Sequence, residues 1–170
     1  AAISSHDIEV LVSGGFLTQV QREDVKMCCR SFSVLELAKA RRRWIMWPDV
    51  FNKVCDDLLV VPFPTSTEIM QKAAEFRYAI SFDFTSWFHH FKMEPSVARF
   101  FAVKKQGRYF VPTSIPTGAT QPPKFAHVLA SAVAARAIAI IQLRIAVDVF
   151  IDNVRFCSDN KACFLEVNPL

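Results

Sequence analysis

Two strongly apolar segments, each carrying an aspartate where a buried strand would have none, constrain this chain more than any other feature. Ala79 to Phe84 (AISFDF) alternates strictly, which places Ile80, Phe82 and Phe84 on one side of a strand and Ala79, Ser81 and Asp83 on the other. Ile145 to Phe156 (IAVDVFIDNVRF) is rich in β-branched and aromatic residues, and Asp148, Asp152 and Asn153 within it predict a strand, a turn and a second strand. Burying a lone carboxylate costs on the order of several kcal/mol unless it is paired or bound to a metal. If the two segments are neighbours in one sheet, Asp83 and Asp152 face the same cleft and can bind a divalent cation through oxygen. Mg²⁺ suits such a pair, because it takes one or two carboxylates and completes its shell with phosphate and water. On periodicity alone, the plainer alternative has equal standing: each aspartate ends its strand beside a basic neighbour.

The rest of the composition sets the frame. With 170 residues, 52% hydrophobic, 21% charged and only four glycines, the chain is expected to form roughly one compact unit with a real core, which excludes disordered, collagen-like and coiled-coil classes. A net charge of +4 permits nucleic acid or phosphate partners without demanding them. The cysteines at 28, 29, 55, 157 and 163 are odd in number and lack CxxC spacing, so neither a zinc site nor a disulfide framework is expected, and reduced intracellular thiols are. Cys157 and Cys163 read as buried or free thiols. The most apolar stretch, Phe125 to Ile151, is interrupted by Arg136, Arg144 and Asp148, and so reads as core rather than a membrane span. No signal peptide is visible, and a first residue Ala1 in place of Met suggests a processed product or a piece of a longer chain.

Other elements follow from local pattern. Asp7 to Leu17 predicts a short helix, with Asp7 as N-cap and Gly14-Gly15 as its stop. Ser31 to Leu37 predicts a strand, the basic knot from Lys39 through Arg41 to Arg43 follows, and Trp44 to Trp47 is the returning strand. Thr65 to Phe76 reads as a helix capped by Thr65 or Thr67. Phe100 to Val103 and Tyr109 to Val111 form a hairpin about Lys104 to Gly107, and a long Ala-rich helix runs from Pro122-Pro123 to about Leu143.

Four motifs in order, RRRWIMWPDVFNK (41 to 53), SFDFTSWFHHFKM (81 to 93), SIPTGATQPPKFAH (114 to 127) and VFIDNVRF (149 to 156), resemble the fingers and palm motifs of reverse transcriptases. The likeness is to retrotransposon enzymes of long-terminal-repeat, DIRS-like or VIPER-type branches, and with DIEVLVSGGFL upstream it covers nearly the whole chain. It implies an α+β right-hand polymerase fold, with fingers at 1–65 and 92–121 and a ferredoxin-like palm at 66–91 and 122–170. It further implies RNA-directed DNA synthesis at two Mg²⁺ ions, or Mn²⁺ in their place, on a primed RNA or DNA template with dNTPs. Asp83 and Asp152 would be the metal-binding aspartates, Phe84 would add its backbone carbonyl, and Phe88 would be the aromatic steric gate that selects deoxynucleotides. Arg43 would grip the triphosphate with its planar fork, with Lys39 or Arg41 as a second cation. Gly118 and Thr117 would line the nucleotide site.

The plain readings stand beside these: Phe88 as one core aromatic among sixteen Phe, and the arginines as a solvated hairpin tip. The chain departs from the family at Thr117 and at Asn153, where a second consecutive aspartate is usual; Asn keeps an oxygen ligand and loses a charge. Asp148 is about 13 Å along the strand from Asp152 and too far to join it. His89 and His90 read as structural, and His6 and His127 carry no assigned role. Only eighteen residues follow Asp152, too few for a thumb or an RNase H domain, so the expected setting is a polyprotein that supplies them or a ribonucleoprotein. The same departures motivate the alternative of a catalytically silent, nucleic-acid-binding scaffold. An RNA polymerase palm is disfavoured by Phe88. The expected location is intracellular, in nucleus or cytoplasm, without a membrane partner.

Overall fold

The computed structural model describes residues 2–37, 40–55, 60–141 and 145–164. Instead of one unit, the chain condenses around two cores: residues 1–58 with 88–122 form the first unit, and 59–87 with 123–170 the second. Length alone does not reveal this, because each unit is assembled from two separated stretches of chain.

The first unit begins with helix α1 (Ser5–Ser13). Its N-cap is Ser4, one turn ahead of the expected Asp7; Asp7 is instead the third helical residue and closes a reciprocal capping box with Ser4. The glycine stop is as expected, and the chain after it forms β1 (Leu17–Val20), which pairs antiparallel with β6 (Arg108–Pro112). Strand β5 (Val103–Lys105) completes this three-stranded sheet. The β5–β6 turn lies at Gln106-Gly107, both with positive φ (48° and 77°), as the twist of a two-residue hairpin requires.

A second, two-stranded sheet pairs β2 (Arg30–Glu36) with β3 (Arg41–Trp47), so the returning strand takes in the arginines as well as the tryptophans. Short helix α2 (Asp49–Val54) follows. Ile8, Leu17, Met46, Phe101, Val103 and Phe110 are among the buried side chains of this unit's core. The short helix α4 (Pro95–Ala98) precedes β5.

In the second unit α3 (Ser66–Ala74) is capped by Thr65 and Glu68 in a second reciprocal box. A three-stranded antiparallel sheet of order β4-β8-β7 is built from β4 (Tyr78–Asp83), β7 (Ala146–Phe150) and β8 (Asn153–Ser158). The two Asp-bearing segments are therefore neighbours in one sheet. Helix α5 (Gln121–Ile141) supplies Ala130 and Ala134 to a core that includes Val149, Val154 and Phe156, with Ile80, Phe82 and Phe84 packed against it. That is the face the alternation in AISFDF selects. Ser81 and Asp83 are exposed. Among the described residues no helix is long and apolar enough to cross a membrane.

Candidate active site

Antiparallel pairing brings the aspartates to one end of the second unit's sheet. Asp83, the last residue of β4, stands opposite Asn153, the first residue of β8. Strands β7 and β8 are joined by the two-residue turn Ile151-Asp152, closed by the pair Phe150 and Asn153. The Phe84 backbone N–H donates to the Asp152 carbonyl oxygen at 2.8 Å, tying the end of β4 to that turn. Ile151 has φ 59°, a left-handed conformation that a β-branched residue adopts only at a cost.

The three carboxylates of this sheet fall into two kinds. Asp148 is 10% exposed and doubly paired, to Lys72 Nζ at 3.0 Å and Arg155 Nη2 at 2.7 Å. Lys72 and Arg155 also donate to the carbonyls of Val147 (3.0 Å) and Ile69 (2.7 Å), so the cluster fastens α3 to the sheet. The plainer alternative, a strand-end aspartate beside a basic neighbour, concerns Asp83 and Asp152; the carboxylate that has such neighbours is Asp148, in the middle of β7. Asp83 and Asp152 have no ion pair or side-chain hydrogen bond among the described residues. No cluster of three or more His, Cys, Asp and Glu side chains suited to a metal occurs among the described residues. What the sheet end offers is two carboxylates, one amide and a nearby backbone carbonyl, an all-oxygen donor set of the kind a hard cation accepts when phosphates and water supply the rest.

The remaining candidates lie in the first unit. In β3, Arg42 donates to Ser33 Oγ at 2.6 Å and pairs with Asp7 at 3.3 Å, while Trp44 Nε1 donates to Ser31 Oγ at 2.6 Å. Arg43, next along a strand of period two, projects from the other face, where it is half-exposed and 3.6 Å from Glu36. Lys39 lies outside the described residues; Arg41 is paired in β3 opposite Glu36, and its side chain is not described.

Gly118 has φ 107°, and a Cβ there would collide with the Met46 carbonyl oxygen. Its need for glycine is thus set by the chain's own β3. Asn52 of α2 clamps the same turn, its Nδ2 donating to the Gly118 carbonyl at 3.0 Å and its Oδ1 accepting from the Thr120 N–H at 3.2 Å. The Thr117 hydroxyl donates to the Trp44 carbonyl at 3.4 Å. In sequence Asn52 is one letter of the motif at 41 to 53, and a polar residue in its Trp-Pro-Asp-Val-Phe-Asn run is the signal it offers.

Phe88 is partly buried in a short 3-10 helix, Trp87–His90. The neighbouring histidine is structural, as expected: His89 contacts Ser114 Oγ at 3.2 Å and the Phe16 ring edge-on at 4.8 Å, and burial, followed by the charges of His90 and Lys92, lowers its pKa. His127, to which sequence assigned nothing, accepts a hydrogen bond from the Ile151 N–H.

No protein-family model matches the chain, and no curated protein does. Solved structures do. The native prototype foamy virus protease-reverse transcriptase superposes with a TM-score of 0.68 at 20% identity, over 95% of this chain and 20% of that one. Its selenomethionine-labelled CSH mutant gives 0.68 at 19%, over 95% and 21%. The foamy viral protease-reverse transcriptase in complex with RNA/DNA hybrid gives 0.70 at 16%, over 98% and 22%. The chain therefore has a reverse-transcriptase-like fold of mixed helix and sheet and spans about a fifth of the length of those proteins.

Proposed function

We propose that this chain is the fingers and palm portion of a retroelement reverse transcriptase and takes part in template-directed DNA synthesis. The observation that carries the reading is the pair Asp83 and Asp152, both without a protein cation among the described residues, presented at one sheet end of a reverse-transcriptase-like fold. Fingers would comprise 1–65 and 92–121 and palm 66–91 and 122–170. A long-terminal-repeat, DIRS-like or VIPER-type origin fits the motif spelling.

In this reading Asp83 and Asp152, with the Phe84 carbonyl, hold Mg²⁺ or Mn²⁺. Bound there, the metal would neutralise the nucleotide phosphates and favour the ionised primer 3′-hydroxyl. Asn153 adds a neutral oxygen opposite Asp83. Arg43 leaves an exposed ion pair, worth about 0–1 kcal/mol, to grip the triphosphate, with Arg41 or Lys39 as a second cation. Phe88 bars a ribose 2′-hydroxyl, and Gly118 with Thr117 shapes the nucleotide floor that Asn52 braces. The partners are a primed RNA or DNA template, dNTPs, and the thumb and RNase H that reverse transcriptases carry.

The test is primer extension on primed RNA with dNTPs and Mg²⁺, by the chain and by a longer natural parent, beside Asp83→Ala and Asp152→Ala. Extension abolished by both substitutions supports the reading. A folded parent that binds RNA without extending would overturn it in favour of the silent scaffold, which Asn153 motivates.

A further inference from the structure

The turn that carries Asp152 is in an unfavourable conformation, and two hydrogen bonds hold it there. In a two-residue hairpin the first loop position with positive φ is one that glycine or asparagine fills at little cost. Ile151 fills it here with a β-branched side chain. Such a residue persists only where its surroundings over-determine it. One of the two bonds, from the Phe84 N–H to the Asp152 carbonyl, is between backbone groups and does not depend on either side chain. The other runs from the Ile151 N–H to Nδ1 of His127, at 3.3 Å.

His127 is built for that contact. It lies on α5 with 8% of its surface exposed. The Phe63 ring packs 4.9 Å from the imidazole, and the same ring lies 5.7 Å from Phe150, the residue before Ile151. An Nδ1 that accepts a hydrogen bond must carry a lone pair, so the ring is the neutral tautomer with its proton on Nε2. Burial lowers the imidazole pKa and favours that neutral form, with no charged neighbour contributing.

We infer that His127 is a positioning residue: its Nδ1 lone pair holds the Ile151 peptide in the left-handed conformation that presents the Asp152 carboxylate at the sheet end. The inference rests on the nucleotidyl-transfer reading of Asp152 for its catalytic consequence, and on geometry alone for the hydrogen bond.

The experiment compares His127→Leu, which removes the acceptor, with His127→Asn, whose Oδ1 can stand where Nδ1 stands. In the chain itself, amide hydrogen exchange at Ile151 is followed by NMR. In the longest parent that extends a primer, kcat and the dNTP KM are measured. The expected result is rapid Ile151 exchange in His127→Leu and wild-type protection in His127→Asn. In the parent, kcat falls between about 10- and 100-fold in His127→Leu with little change in KM, and His127→Asn recovers most of it. Equal behaviour of the two variants, or Ile151 protection that survives His127→Leu, overturns the inference. Should His127→Leu not fold, the asparagine variant decides, since loss of Ile151 protection there is the contrary result. A parent inactive with wild-type His127 sinks the polymerase reading, while Ile151 exchange still judges the hydrogen bond.

Discussion

Asp83 and Asn153 face each other directly across the β4–β8 ladder, so the residue that departs from the usual pair of aspartates is the cross-strand partner of the first carboxylate. Asn153→Asp would place like charges opposite each other. Without divalent cation it should lower stability by about 0.5–1 kcal/mol. With Mg²⁺ it should bind the ion several-fold more tightly, since carboxylate count sets affinity at such sites. Thermal melts with and without Mg²⁺ read both effects, and an unchanged Mg²⁺ response would dissociate Asn153 from the site.

Asp148→Ala serves as the structural counterpart. It removes the carboxylate, 10% exposed, that pairs both cations, leaving Arg155, 22% exposed, without its partner while the more exposed Lys72 turns to water. The expected loss is about 3 kcal/mol, the lower end for breaking a buried pair. It should appear in urea unfolding, while any extension activity at temperatures where the variant is folded stays near wild type.

Gly118→Ala and Gly107→Ala separate two costs. Both positions have positive φ, but a Cβ at 107 meets open space whereas at 118 it meets the Met46 carbonyl. Gly107→Ala should cost about 1 kcal/mol from backbone strain alone. Gly118→Ala should cost clearly more, because the turn must also move away from β3. Equal midpoints in denaturant would refute that difference.

Stability should fall on mild acidification. The pKa values of His89 and His127 are both held below the ordinary value of 6.5 in the folded chain, first by burial. The unfolded chain therefore takes up protons at these sites before the folded chain does, and stability declines as pH falls from about 6.5 through the lower folded-state values. Chemical unfolding between pH 5 and pH 8 tests this, and His127→Asn should flatten part of the slope.

Arg43→Ala should raise the dNTP KM about tenfold or more, the worth of one charge-assisted hydrogen bond. Glu36→Gln, which releases the resting partner, should lower KM if anything. Steady-state kinetics in an extending parent decides, and an unchanged KM in Arg43→Ala would return that arginine to the solvated surface.

Much of this was legible in sequence because it follows from local period. The alternation in AISFDF names the buried face, and the polar break in IAVDVFIDNVRF names the hairpin turn. What was not legible depends on contacts between distant segments. Strand β1 has only four residues and exists because β6 pairs with it, and α2 follows a proline in a stretch too short for a helical period to show. His127 and Asn52 are ordinary polar residues until the fold sets them against Ile151 and Gly118. Sequence spacing sets Asp148 apart from Asp152, but what Asp148 does instead shows only when Lys72, arriving from α3, joins Arg155 on its carboxylate.

The three arginines at 41, 42 and 43 look interchangeable as letters, yet the strand assigns them different work: Arg42 is bolted to Asp7 and Ser33, and Arg43 stands free of that anchor on the opposite face. Inserting or deleting a single residue in the tip between Glu36 and Arg41 threatens to shift the register and trade anchor for outward arm. Any redesign of this hairpin that is to keep both roles must therefore preserve the register that sets Arg42 opposite Leu35 and Arg43 opposite Val34.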